Sequence, residues 1–105
     1  MDKYVFQNVN IKSMNFINNK NDFEFEFIDS LINSGKDCGT LLCINLLSLR
    51  MNTDLTEDDR FFPQFICDVS IEKCPENCEN SLVKLQGGTY DISLICTTTE
   101  VIKNN

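Results

Sequence analysis

The sequence predicts an all-β domain, or α+β if one short helix forms, built as a single compact antiparallel sheet or sandwich of about six strands. Three observations predict it. Apolar and polar residues alternate with period two in several segments, a Gly-Gly pair separates two apolar runs, and no strand–helix–strand rhythm occurs. The 105 residues suit one domain, 1–105, and 42% hydrophobic content with eight Phe and no Trp is ordinary globular composition. A chain of this length buries a core without covalent staples.

The first strand is expected in "VFQNVNIKSMNF", with Val5, Val9 and Ile11 on one side. "DFEFEF" at 22–27 alternates at period two, which favours a strand over 22–28. A helix over 23–34, capped by Asp22 and stopped by Gly35, competes through the spacing of Phe23, Phe27 and Leu31. It would leave Phe25 on the polar side. "TLLCINLLSLRM", 40–51, reads as the next strand, although its leucines also suit a buried helix capped by Thr40. "MNTDLTEDDR" reads as a polar loop. In "QFICDVSIE", 64–72, Phe65, Cys67, Val69 and Ile71 share one face, and Asp68, Ser70 and Glu72 share the other.

The C-terminal stretch "SLVKLQGGTYDISLICTTTEV" reads as a hairpin turning on Gly87-Gly88, because a type I′ turn needs positive φ at both central residues. Pairing Gln86 with Thr89 sets Leu85 against Tyr90, Val83 against Ile92 and Lys84 against Asp91. One face is then apolar and the other carries an opposite-charge pair.

Six cysteines in a short chain suggest a disulfide framework only in a secreted protein. The N-terminus has neither an apolar h-region nor a small-residue cleavage site, so a cytoplasmic address and reduced thiols are expected. Cys43, Cys67 and Cys96 fall among apolar residues and read as small buried hydrophobes, whereas Cys38, Cys74 and Cys78 fall in loops. In "KCPENCEN", 73–80, Cys74 and Cys78 could form half of a zinc site with Cys38 and Cys43. That would draw Cys43 off its apolar face, so a loop between strands, closed to the ladder by Pro75, is the expectation. No metal or cofactor is expected.

Sixteen acids against nine bases give a net charge of −7, and there is no histidine. Such a chain repels phosphate backbones, which disfavours direct nucleic-acid binding. Without an imidazole, a glycine-rich phosphate loop or a buried carboxylate pair, no catalytic constellation is legible. No apolar run approaches the ~20 residues of a membrane helix. An enzyme and a membrane protein are therefore not expected.

Eight acids between residues 54 and 79 face only Arg60 and Lys73. Asp54, Glu57, Asp58, Asp59, Glu72, Glu76 and Glu79 are the candidate contact residues for a protein partner with a basic surface. A non-enzymatic, acidic protein-binding module is the first functional expectation. It includes an inhibitor, of phage or mobile-element type, that blocks a nucleic-acid-binding surface by imitating phosphate charge. A structural or assembly protein whose strand edge pairs with a copy of itself is another.

"FQNVNIKSMNF", "DFEFEF", "TLLCINLLSL" and "FFPQFICDVSIE" together resemble, over residues 4–72, the strand half of SecB-like export chaperones. The resemblance implies an oligomer that holds unfolded polypeptide. It stops at the C-terminus, where that family has long helices and this chain has the hairpin.

Overall fold

Among the described residues, six antiparallel strands follow one another: β1 Tyr4–Ile17, β2 Asp22–Asp29, β3 Asp37–Thr53, β4 Ile66–Lys73, β5 Ser81–Gly87 and β6 Tyr90–Lys103. The computed structural model describes residues 4–29, 36–53, 66–87 and 90–104. The strands form one sheet in the order β1-β2-β3-β6-β5-β4, and β4 returns to pair with β1, so the sheet closes into a barrel. All-β architecture is thus established, with no helix among the described residues. Residues 22–29 and 37–53 are strands, which removes the helical alternatives there.

The period-two pattern of β2 explains its conformation. Phe23, Phe25 and Phe27 are buried, while Glu24 and Glu26 lie between them on the outer face. The rings form a column through the barrel. Phe6 lies 4.8 Å from Phe27, Phe27 5.9 Å from Phe25, Phe25 5.0 Å from Phe23, and Phe23 4.9 Å from Phe16. Each fully buried ring contributes about 1.5–3 kcal/mol of transfer free energy. Ile11, Leu41, Val69, Val83, Leu85, Ile92 and Leu94 fill the remaining interior.

Several expectations need correction. In β1, Phe6 is buried with Val9 and Ile11, while Val5 only packs against the core from a half-buried position. The register of β1 on β4 slips between Phe6 and Val9, where Asn8 has φ 55°, and this irregularity changes which residues face inward. Ser70, expected on the solvent face, is buried because Tyr4 and Lys84 flank it on the two neighbouring strands. Cys38 belongs to β3 rather than to a loop.

The C-terminal hairpin is real, but its register lies two residues from the expected one. Gln86 faces Asp91, Leu85 faces Ile92, Lys84 faces Ser93 and Val83 faces Leu94. A two-residue slip preserves the faces, so the apolar side stays inward. The Lys84–Asp91 pair is lost, and Lys84 Nζ instead lies 3.3 Å from Glu72 on β4. Gly87 pairs with Cys67, so β5 runs through the first glycine of the expected turn. Residues 88–89 lie outside the described residues.

Two local devices set the barrel's shape. Gly39 has φ +155°, and a Cβ there would collide with the Ile102 carbonyl oxygen, so only glycine lets β3 approach β6 this closely. The β1–β2 turn places Asn18, Asn19 and Lys20 at φ 53°, 57° and 70°. It docks on β3 through Asp22, whose carboxylate accepts from Asn45 N at 2.8 Å and Asn18 Nδ2 at 2.6 Å. Leu46 N also donates to the Asn21 carbonyl, at 2.7 Å.

Candidate binding surface

β3 and β6 are much longer than their other neighbours, and this mismatch creates the surface. β3 pairs with β2 only up to Cys43, whereas its pairing with β6 continues to Thr53. β6 pairs with β5 only over 91–96 but with β3 up to Lys103. Among the described residues, two stretches therefore lack a ladder partner on one side: β3 from Leu47 to Thr53 and β6 from Thr97 to Lys103. Their outward backbone N–H and C=O groups form a template for a further strand.

The turn from β1 ends the first open edge. Asn45, at φ 59°, and Leu46 spend their amides on Asp22 and Asn21, and Asn45 Nδ2 donates to Thr97 Oγ1 at 2.7 Å. Hydrogen bonding to Asn45 N and Asn18 holds the Asp22 carboxyl below the usual carboxylate range. A bulge between Leu46 and Ser48 follows. Leu46 and Leu49 pack against the core, while Leu47 is 54% exposed.

Exposed apolar side chains concentrate on these two stretches. Leu47 and Met51 lie on the β3 edge, and Val101 and Ile102, the latter 57% exposed, lie on the β6 edge. Phe16 is the remaining large apolar side chain exposed among the described residues, and its ring is engaged by Phe23. Beside the β3 edge, the outer face holds a groove of about 470 Å³ whose lining includes Ser48, Arg50, Leu82, Lys84, Ser93 and the acidic candidate Glu76. At the far end of β6, Lys103 Nζ sits 5.5 Å from the centre of the Phe6 ring.

The acidic candidates scatter. Asp54, Glu57, Asp58 and Asp59 lie outside the described residues. Glu72 is half-buried and paired with Lys84, whereas Glu76 and Glu79 are exposed on the 74–80 connection. Asp68 accepts from the Asn8 backbone N–H at 2.9 Å. No group of three or more His, Cys, Asp or Glu among the described residues could hold a metal ion.

The thiols are also separated. Cys43 and Cys96 face each other inside the barrel, and the hydrogen bond to Cys96, together with burial, pushes the Cys43 thiol up. Cys74 is buried behind a tight turn in which its N–H donates to the Asn80 carbonyl at 2.9 Å, and Cys78 is exposed. Burial, then the charges of Asp29 and Asp37, raise Cys38. No helix among the described residues is long and apolar enough to cross a membrane.

Sequence reasoning grouped Leu47 with core leucines and gave no role to Val101 or Ile102. The available signal was strand length: fourteen residues in β6 cannot all be covered by seven in β5.

No curated protein matches the chain. The crystal structure of an uncharacterized protein from Neisseria gonorrhoeae is similar in fold, with a TM-score of 0.77 at 21% identity over 96% of this chain and 96% of that one. A protein-family model matches residues 4–103, nearly the whole barrel, and the chain belongs to that family.

Proposed function

We propose that this protein is a non-enzymatic binding module of the cytoplasm that takes up extended polypeptide along the open edges of β3 and β6. The observation that carries this reading is a coincidence of position. The two backbone stretches without a ladder partner among the described residues also bear Leu47, Met51, Val101 and Ile102. Main-chain hydrogen bonds from such an edge supply affinity, and side chains flanking it supply selectivity. This reading keeps the protein partner expected from composition and moves the contact from the acidic segment to the strand edges. An unfolded client, as the chaperone resemblance implies, would use the same edges.

A reduced, carboxymethylated polypeptide without stable structure is a suitable probe. Hydrogen exchange should slow at the amides of 47–53 and 97–103 when it binds, and Leu47→Lys and Ile102→Lys should each weaken binding. Raising salt from ~0.1 M to ~1 M should change the affinity little, because apolar and main-chain contacts are not screened as exposed charges are. A second reading, an acidic surface meeting a basic partner, is favoured by the exposure of Glu76 and Glu79. Protection confined to the acidic connections, with binding lost at high salt, would replace the first reading by the second.

A further inference from the structure

We infer that, when no polypeptide client occupies it, the β3 edge is filled by a second copy of this chain, joined by antiparallel pairing of residues 47–51 about a two-fold axis, which a client strand at that edge displaces. The inference rests on the strand-edge reading above and names the occupant of one edge.

Charge favours a copy at this place. The chain carries −7, so two molecules repel over most of their surfaces. Residues 38–53 contain no acid and a single base, Arg50, and residues 92–95, the part of β6 paired behind 48–51, carry no charge, Asp91 coming only opposite Asn52. Over 47–51 and its β6 partners 92–95 the ribbon therefore brings no carboxylate to the contact, and Glu76, which lines the groove beside it, shares that groove with Arg50 and Lys84.

Register follows from the same residues. An antiparallel two-fold pairing sets residue i against residue j with a constant sum, and directly opposed residues share a face. Centring the pair on Leu49 places Leu47 against Met51 of the copy and Arg50 against its Ser48. Both exposed apolar side chains then gain apolar neighbours, and the two arginines avoid direct opposition. Centring on Arg50 would stack like charges.

The edge also carries its own stop. Asn45 and Leu46 have committed their amides to the β1–β2 turn, and the Leu46–Ser48 bulge bends the strand. Pairing cannot extend past that point. An isologous contact limited in this way closes at two copies instead of growing into a fibre. So short an interface lies at the small end of the size range, where association is weak and depends on concentration.

Sedimentation velocity on the full chain from ~1 to ~100 µM tests this. A species of twice the 12.0 kDa chain mass should grow with concentration and persist at ~1 M salt. Leu47→Glu with Met51→Glu should return the protein to one chain mass, while circular dichroism shows the barrel intact. Arg50→Glu, which places new acids at the contact but leaves both apolar residues, should raise the dissociation constant by ~10-fold or more. A chain that stays monomeric at ~100 µM would overturn the dimer, and so would a dimer unaffected by all three substitutions. The carboxymethylated probe, applied to Ile102→Lys in parallel, reports on strand addition at β6. The broader reading thus stands or falls separately from the dimer.

Discussion

Gly39 and Asp22 show how single residues govern the barrel. At Gly39 the backbone of β3 meets the backbone of β6 at Ile102 and Lys103, with no flexible side chain between them to yield. Gly39→Ala should therefore destabilise the protein by ~2 kcal/mol or more, since overpacking of this kind forces backbone movement. Urea denaturation measures it, and an unchanged midpoint would mean the two strands are further apart. Asp22 makes a different, pH-dependent contribution. Its folded carboxyl binds a proton more weakly than the unfolded one because Asn45 N and Asn18 donate to the carboxylate. The resulting stability is complete above the unfolded pKa of about 3.9 and disappears as pH falls through the lower folded value. Asp22→Asn should be less stable than the natural protein at pH 7 and should lose less on acidification to pH ~3. Parallel denaturation curves at both pH values would contradict that role.

At the scale of elements, what the sequence revealed depended on whether a strand kept its period. In β2 the Phe–Glu alternation runs unbroken, which favoured a strand over the competing helix of 23–34, and the strand is what forms. β5 and β6 kept their faces but not their register, because Gly87 is used as a strand residue opposite Cys67 and not as a turn residue. Glycine chemistry alone cannot distinguish those uses. In β3 the left-handed Asn45 and the bulge at Leu46–Ser48 break the alternation, and six apolar residues that look equivalent in sequence divide between interior and edge. The candidate site was legible only as the general expectation of a strand edge, since an edge is defined by what fails to pair, which no local pattern encodes. The observed register gives a further test. Lys84 works with Glu72, and their side chains are about a third exposed. Glu72→Gln should cost ~0.2–1 kcal/mol, whereas Asp91→Asn should stay within ~0.5 kcal/mol of the natural chain. Double-mutant cycles with Lys84→Met, read by thermal melts, check the pairing: Lys84 should couple to Glu72 and not to Asp91, and the reverse would support the expected hairpin register.

For the whole molecule, the thiols report how completely the barrel shields its interior. Cys43, Cys67, Cys74 and Cys96 are buried, Cys38 is half-buried with a raised pKa, and Cys78 is exposed. Reaction with a chromogenic disulfide at neutral pH should label Cys78 first and Cys38 much more slowly, because the thiolate is the reacting form. The other four should react only with unfolding, and peptide mapping of the labelled sites checks the order. Early labelling of Cys43 or Cys96 would mean that the strands separate in the native state.

The overhang of β6 along β3 has a consequence for synthesis. A ribosome releases β3 well before β6, the strand with which β3 makes its longest ladder, running from Gly39–Lys103 to Thr53–Tyr90. While residues 54–89 are being added, the most leucine-rich strand of the chain has no β6 to cover it, and β4 has no β5 until residue 87 has emerged. β6 is therefore the strand that completes the barrel, and the nascent chain is most prone to aggregate just before it appears. A chain ending at residue 89 should accumulate as aggregate when expressed, whereas one ending at residue 103 retains every strand and should be recovered folded. Equal recovery of the two truncations would show that β3 can be covered without β6.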